Sequence, residues 1–316
     1  MHKRLVNHCT IDLTISPCGP ILIKSGKEGA DPTKPDMEFV ETYHRGGRSL
    51  YLPGSSLKGA IRAHAERIVR TVGSDKPSND PTKIWASDPL DRSLFRDLEK
   101  EKNSQKIYHD SSFTDQLFGS TAIASRIRIE DAYPLDPAQL KIEERNGVAI
   151  DRVFGSTVPG ALFNYQVCTA GEFHTKIHLK NFTLAQLGLI GLVLRDLNDG
   201  WFGLGFAKSR GMGLVEVKLN SAVVQYPSCV LNEDIIKAIG TKQTWEKTLL
   251  LGAGEFLDDN EAKRYGFEKL DRQDTPVAAK EMNLGFGVEL TWDYPNVDDL
   301  FIRVVKSWSR LLGVAA

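Results

Sequence analysis

Leu52 to Gly73 reads LPGSSLKGAIRAHAERIVRTVG. Pro53 and Gly54 make a turn, and Leu57, Ile61, Ala65, Ile68 and Val72 recur at helical spacing. The stretch predicts a helix with Ser55 or Ser56 as N-cap and Gly73 as C-cap. A strand precedes it: Leu5 to Ser16 (LVNHCTIDLTIS) alternates polar with apolar residues, and Ile21 to Lys24 is read as its continuation past a Pro17 to Pro20 turn. Downstream, residues 74–112 are polar and turn-rich, a surface insertion. SRIRIEDAY (Ser125 to Tyr133) alternates as a half-buried strand, and two more strands are expected at Ala161 to Ala170 and Glu172 to Leu179. Thr183 caps a second helix, LAQLGLIGLVLRDL, whose Gly188 and Gly191 permit close approach to a sheet. Asn198, Asp199 and Gly200 end that helix, WFGL begins a strand, a glycine-rich loop follows, and LVEVKL (Leu214 to Leu219) alternates again. Strand, helix, strands, helix, strand is the order of an α+β, ferredoxin-like domain with insertions. Beyond Asn220, LNEDIIKAIG reads as a short helix, 252–260 as loop, and Val297 to Leu312 as a helix. The expected division is a domain over 1–220, with insertions at about 74–112 and 137–159, and a C-terminal extension over 221–316.

Composition narrows the function. The 316 residues are 41% hydrophobic and 26% charged, an ordinary globular balance. Cys9, Cys18, Cys168 and Cys229 are scattered without a close pair, which disfavours a zinc knuckle or a disulfide framework and suits a reducing cytoplasm. The longest apolar stretch, GLIGLVL from Gly188, is too short to span a bilayer, and the N-terminus has no continuous apolar h-region, so neither a membrane partner nor export is expected. Lys and Arg number 40 against 41 Asp and Glu, so any attraction for nucleic acid must be local. Between Arg45 and Arg70 lie Arg45, Arg48, Lys58, Arg62, Arg67 and Arg70 with Glu66 as the one acid, a patch of the kind that tracks phosphates, or else a solvated helix face.

Two segments carry chemistry. At the helix start, Ser55, Ser56 and the first-turn amides form an expected anion site, and Lys58 and Arg62, four residues apart, share one face. Gly59 leaves room for an approaching backbone. GLGFAKSRGMG (Gly203 to Gly213) folds tightly enough to present amides, with Lys208 and Arg210 adding charge. It matches neither the Walker pattern nor G-x-G-x-x-G, and a ligand-free hairpin is the plainer alternative. His174 and His178 fall on one strand face but lack a near third ligand, so surface histidines are favoured over a metal site. Phe118, Phe163, Trp201 and Phe206 are candidates for stacking on bases or for the core.

LPGSSLKGAIR at Leu52, LFGS at Leu117 followed by SRIRIEDA at Ser125, AIDRVFGSTVPGALF at Ala149 and GLGFAKSRGMGLVEV at Gly203 stand in register over residues 5–219. Together they resemble the RAMP superfamily of CRISPR-associated proteins, specifically the backbone subunits of type III effector complexes. The resemblance implies a ferredoxin-like core of the RNA-recognition type, with a thumb at about Pro137 to Pro159 that interrupts pairing between guide and target RNA. It places Ser55, Ser56, Lys58 and Arg62 against the guide backbone, beside Gly205, Lys208, Ser209, Arg210 and Gly211. It implies guide RNA, target RNA and other effector subunits as partners. Many such subunits cleave the target with a divalent metal, Mg, and an aspartate in the loop after the first strand. Asp36 fits that role and metal site best, with Asp31 second. The alternatives are a structural subunit without cleavage and a guide-processing RAMP endoribonuclease. The extension over 221–316 carries no chemical motif and exceeds a compact backbone subunit, so docking of a neighbouring subunit is its expected use.

Overall fold

In the computed structural model, which describes residues 4–26, 35–44, 46–78, 83–91, 93–267 and 270–314, the first strand is β1, His8–Pro17. Its period-two pattern sends Cys9, Ile11, Leu13 and Ile15 into the core and leaves His8, Thr10 and Asp12 on the other face. Ile21 to Lys24 does not extend β1. Prolines at 17 and 20 withhold ladder amides, and Ile21 and Lys24 make isolated bridges to Cys168 and Phe39 instead. A hairpin of β2 (Glu41–His44) and β3 (Gly47–Leu50) leads to α1 (Gly54–Val72), which buries Leu57, Ile61, Ala65 and Val69. Gly73 caps its C-terminus, where a Cβ would strike the Ile84 carbonyl. The N-cap is Pro53, not a serine, and no side chain of the helix caps it. Asp131 takes over from across the fold, its Oδ1 accepting from the Gly54 amide at 2.7 Å.

Residues 74–112 are more than a polar insertion. They carry α2 (Ser93–Lys100) and α3 (Ser104–Asp110) and bury Ile84, Ala86 and Tyr108. After α4 (Phe113–Phe118), β4 (Ile127–Ile129) and β5 (Tyr133–Pro134), a long hairpin of β6 (Lys141–Ile150) and β7 (Thr157–Ala170) forms its own two-stranded sheet. β8 (Phe173–Lys180) precedes α5 (Leu184–Asn198). Thr183 Oγ1 accepts from the Gln186 amide at 3.2 Å, and the Gln186 side chain accepts from the Thr183 amide at 3.1 Å, the capping box that terminates α5 cleanly. Trp201 to Leu204 makes no strand. The glycines around it fold the chain onto itself, with the Leu204 amide donating to the Gly213 carbonyl, before β9 (Val215–Tyr226).

Residues 231–240 form a hairpin of β10 (Cys229–Asn232) and β11 (Ile235–Ala238), not a helix. Glu233 at φ 53° makes the turn, and Ile236 and Ala238 alternate into the core, so what reads as a short apolar helix is a strand burying every second residue. β12 (Thr244–Glu246) joins that sheet. β13 (Leu249–Leu251), α6 (Asp259–Tyr265) and β14 (Arg272–Asp274) follow, with β13 paired to β14. β15 (Lys280–Glu281), β16 (Val288–Asp293) and α7 (Val297–Leu311) close the chain.

The principal sheet runs β15-β16-β9-β1-β8-β4, with β5 also beside β8, and all its pairings are antiparallel. Four consecutive strands, β9-β1-β8-β4, with α1 after β1 and α5 after β8, are the ferredoxin-like core. Asn220 is the extra residue of a bulge opposite Asp12 and Leu13, and its side chain donates to Asp12 Oδ1 and Thr14 Oγ1. α1 and α5 are joined by the buried pair His64 and Asp196 at 2.7 Å. Gly188 and Gly191 serve a close approach to α7 and not to the sheet: a Cβ on Gly188 would lie 2.6 Å from the Val304 carbonyl, and one on Gly191 would meet Phe301. Among the described residues no helix is long and apolar enough to cross a membrane.

Candidate nucleic-acid interface

The basic patch read between Arg45 and Arg70 is divided by the fold. Arg45 lies outside the described residues, and Arg48 pairs with Glu41. Arg62 is committed inward: Nε donates to Glu66, and its two terminal nitrogens donate to the Gly119 carbonyl and to Asp115, all at 2.8 Å. Arg70 donates to Glu66 and to the Ala86 and Ser87 carbonyls. Asp115 is buried and also accepts from Ser87 and Ser112. The LFGS segment is therefore the wall onto which Arg62 locks α1, an assignment the isolated i, i+4 spacing of Lys58 and Arg62 does not reveal.

Lys58 is held differently. Its ammonium donates to Ser125 Oγ at 2.7 Å and the Ile127 carbonyl at 3.3 Å, which leaves one N–H uncommitted to these partners. Burial first, then the charge of Arg62, pulls its pKa below the usual lysine value. At 100° per residue, Ser55, Gly59, Ala63 and Arg67 form the next line round α1, and all four are exposed. A Cβ on Gly59 would touch nothing. This ridge of small side chains is open to an approaching backbone.

On the far flank of the ridge stands the glycine-rich loop. Gly205 at φ 77° and Gly213 at φ 86° are positions where a Cβ would collide with the Leu22 and Leu204 carbonyls, so only glycine lets the loop close on the β1 exit. The Phe206 amide donates to the Leu22 carbonyl and the Gly213 amide to the Pro20 carbonyl. The tip is a single 3₁₀ turn, Lys208–Arg210, entered through Ala207 and left through Gly211, both left-handed. Lys208, Ser209, Arg210 and Gly211 are exposed there, and Arg210 stacks over Phe206 at 5.1 Å. A furrow of about 350 Å³ separates loop from helix, lined by Ala60, Ala63, Arg67, Trp201, Lys208 and Ser209 among others. Lys58 lines a different cavity, so the basic residues flank the ridge instead of sharing one pocket. Arg67 and Trp201 join the surface through tertiary packing. Trp201, with Arg195 at 5.7 Å over its ring, is exposed, whereas Phe118 is core.

Asp31 lies outside the described residues; Asp36 is held against the middle of β7, beside the Asn146–Asn164 rung of the β6–β7 hairpin. The Asp36 amide donates to Asn164 Oδ1 at 2.7 Å, and the Asn164 amide donates to Asp36 Oδ2 at 2.9 Å. Met37 and Phe39 continue this contact along β7, through Tyr165 and Gln166. The carboxylate is exposed, and Asn164 also donates to Glu144. Among the described residues no three His, Cys, Asp or Glu gather as a metal cage. One exposed carboxylate with an unbonded oxygen is a donor set that suits Mg, which keeps waters and completes its shell with substrate phosphate. His174 is bonded to Asp12 and His178 to Glu130, each at 2.9 Å.

The distal hairpin exposes Val148, Ile150, Val153, Phe154 and Leu162, with Phe154 84% exposed. Among the described residues nothing buries this apolar tip. A sequence model of the RAMP superfamily matches residues 14–216, more than half of the chain. No curated protein matches the sequence.

Proposed function

The chain belongs to the RAMP superfamily, whose members bind RNA in CRISPR-associated complexes, and from that premise we propose that it is a guide-RNA-binding backbone subunit of a type III antiviral effector complex in the cytoplasm. The observation that carries this reading is the exposed ridge of α1, small from Ser55 through Gly59 to Ala63, ended by Arg67, and flanked by Lys58 on one side and by Lys208 and Arg210 on the other. A surface that serves any guide must hold phosphates and sugars and leave sequence to base pairing. Small residues let the backbone approach, and cations on both flanks neutralise it. The β6–β7 hairpin, with its exposed apolar tip, is the thumb that wedges between guide and target.

Cleavage of the target is assigned to Asp36. Its bonds to Asn164 fix it partway along the thumb, where an interrupted pair would leave a target base unstacked and the adjoining phosphate accessible. A divalent metal held by its second oxygen would neutralise the phosphoryl oxygens. Asn164 orients the carboxylate and Glu144 orients Asn164.

Two measurements on the assembled complex test these assignments. Lys208→Ala with Arg210→Ala should lower the slope of log affinity against log salt for the guide by about 1.4, at about 0.7 per phosphate contact on a single strand. An unchanged slope removes the loop from the RNA path. Asp36→Ala should abolish metal-dependent target cleavage with guide and target binding retained; wild-type cutting by that variant would leave a structural subunit.

A further inference from the structure

The open face of the sheet holds a feature that neither the glycine-rich loop nor Asp36 accounts for. A cavity of about 620 Å³ lies between the first turn of α1 and the β1, β4 and β8 strands. His8, Lys58, Arg128, His178 and Lys180 line it, and no carboxylate does. Strand register brings these groups together from distant sequence: His8 is opposite Lys180, and Arg128 is opposite His178. The His8 and His178 rings are 5.5 Å apart.

We propose that this cavity is a phosphate-binding site that takes one phosphate of an RNA strand and takes up a proton on His8 as it does so. The proposal deepens the RNA-binding reading and rests on it for the source of the phosphate alone.

Groups from three strands surround His8. From β8 it faces His178 and Lys180, from β4 Arg128, and from β9 Gln225. Gln225 is turned by β16, donating to Glu289, which also pairs with Lys280. Lys58 enters from α1. Glu130 is not among the cavity's lining residues; it is shared by His178 at 2.9 Å and Arg128 at 3.1 Å, and it offsets the Arg128 charge. Burial, then His178, Arg128 and Lys180, depress the His8 pKa below its usual value of 6.5, while the Gln225 contact opposes them. At neutral pH His8 is therefore neutral in the empty cavity. An anion seated among these cations reverses the sign of the local field and favours the imidazolium. Binding then draws in a proton, and affinity rises as pH falls from neutral towards the His8 pKa of the empty site, by at most tenfold per pH unit. Phosphate donors at such a site are Lys58, Arg128, Lys180 and protonated His8, whose charge-assisted hydrogen bonds are the strong kind.

Sulfate is the direct probe, because it stays a dianion from pH 5.5 to 7.5 and any pH dependence must come from the protein. Sulfate titrations of the full chain, followed by the His ring protons in NMR, should shift the His8 resonance and raise its pKa. Affinity should gain several-fold between pH 7.5 and 5.5, and His8→Gln should flatten that dependence with the melting temperature retained. Arg128→Ala with Lys180→Ala should weaken sulfate binding at every pH. Failure of sulfate to move His8, or a pH dependence that survives His8→Gln and vanishes in His178→Gln, overturns the proposal. Short RNAs with 5′-phosphate, 3′-phosphate or hydroxyl ends identify the source: preference for one phosphorylated end that is lost in Arg128→Ala marks a terminal phosphate, and equal affinities with the same His8 dependence mark an internal one. RNA binding that is indifferent to pH and to His8→Gln also overturns it. Sulfate binding at His8 in a protein that binds no RNA would sink the RNA-binding reading and leave this site standing.

Discussion

At the residue scale, Arg62 and Lys208 are both cations of the quoted motifs and differ in what the fold asks of them. Arg62 is partnered by Glu66, Asp115 and the Gly119 carbonyl, and Asp115 is buried, so Arg62→Ala leaves a buried carboxylate short of its cation. That variant should lose about 2 to 4 kcal/mol in urea unfolding, whereas Lys208→Ala, at an exposed loop tip, should stay within about 0.5 kcal/mol of wild type. Equal stability of the two would remove Arg62 from the framework. The cysteines divide in the same way. Cys9, Cys168 and Cys229 are buried, and burial pushes the Cys229 thiol up to about 12 and raises Cys9 still further, while Cys18 is exposed. A thiol reagent at pH 8 should therefore modify Cys18 in the native protein and all four cysteines only after unfolding. Rapid native labelling of a second cysteine would contradict that burial. The charge of Arg62 and of Lys208 is legible in the sequence; that Arg62 faces the buried Asp115, 53 positions away, is decided by the fold.

At the element scale, the helices and long strands follow from their periods. Leu57, Ile61, Ala65 and Val69 make α1, and the alternation of Cys9, Ile11, Leu13 and Ile15 makes β1. The failures fall where the period is short. LNEDIIKAIG has too few residues to separate a helix from a strand; it carries the turn of the β10–β11 hairpin, and β12 pairs on the other side of β11. Gly188 and Gly191 announce a close approach but not its partner, which is α7, more than a hundred residues on. The thumb is the reverse case, an element visible in sequence whose stability is its own. Replacing residues 147–163 by a two-residue turn joins Asn146 to its ladder partner Asn164 and keeps the bond to Asp36. Because Val148, Ile150, Val153, Phe154 and Leu162 are exposed, the shortened protein should melt within a few degrees of wild type while losing the regular spacing of target cleavage in the complex. A collapse in melting temperature would place the thumb in the core.

At the scale of the whole molecule, residues beyond 220 continue the principal sheet. β16 pairs with β9, Trp292 is buried on the core face, α7 fills the groove that Gly188 and Gly191 leave on α5, and the Tyr226 hydroxyl accepts from the Leu251 amide. A 1–227 fragment would expose the edge of β9 and the small-residue face of α5, and it should aggregate or unfold without a cooperative transition. Cooperative melting of that fragment near the wild-type temperature would instead make the C-terminal segment a separate body. By itself the sequence determined the ferredoxin-like order of elements, the helix and strand periods, the glycine-rich loop and, through four motifs in register, the family, because each of these is written in local spacing or in turn chemistry. Only the tertiary structure decided that Asp131 caps α1, that Arg62 faces inward, that Asp36 is tied to the thumb, and that His8, Lys58, Arg128, His178 and Lys180 share one cavity. Each of these depends on strand register and helix packing between segments far apart in the chain, and contacts at that separation leave no period for a single sequence to show.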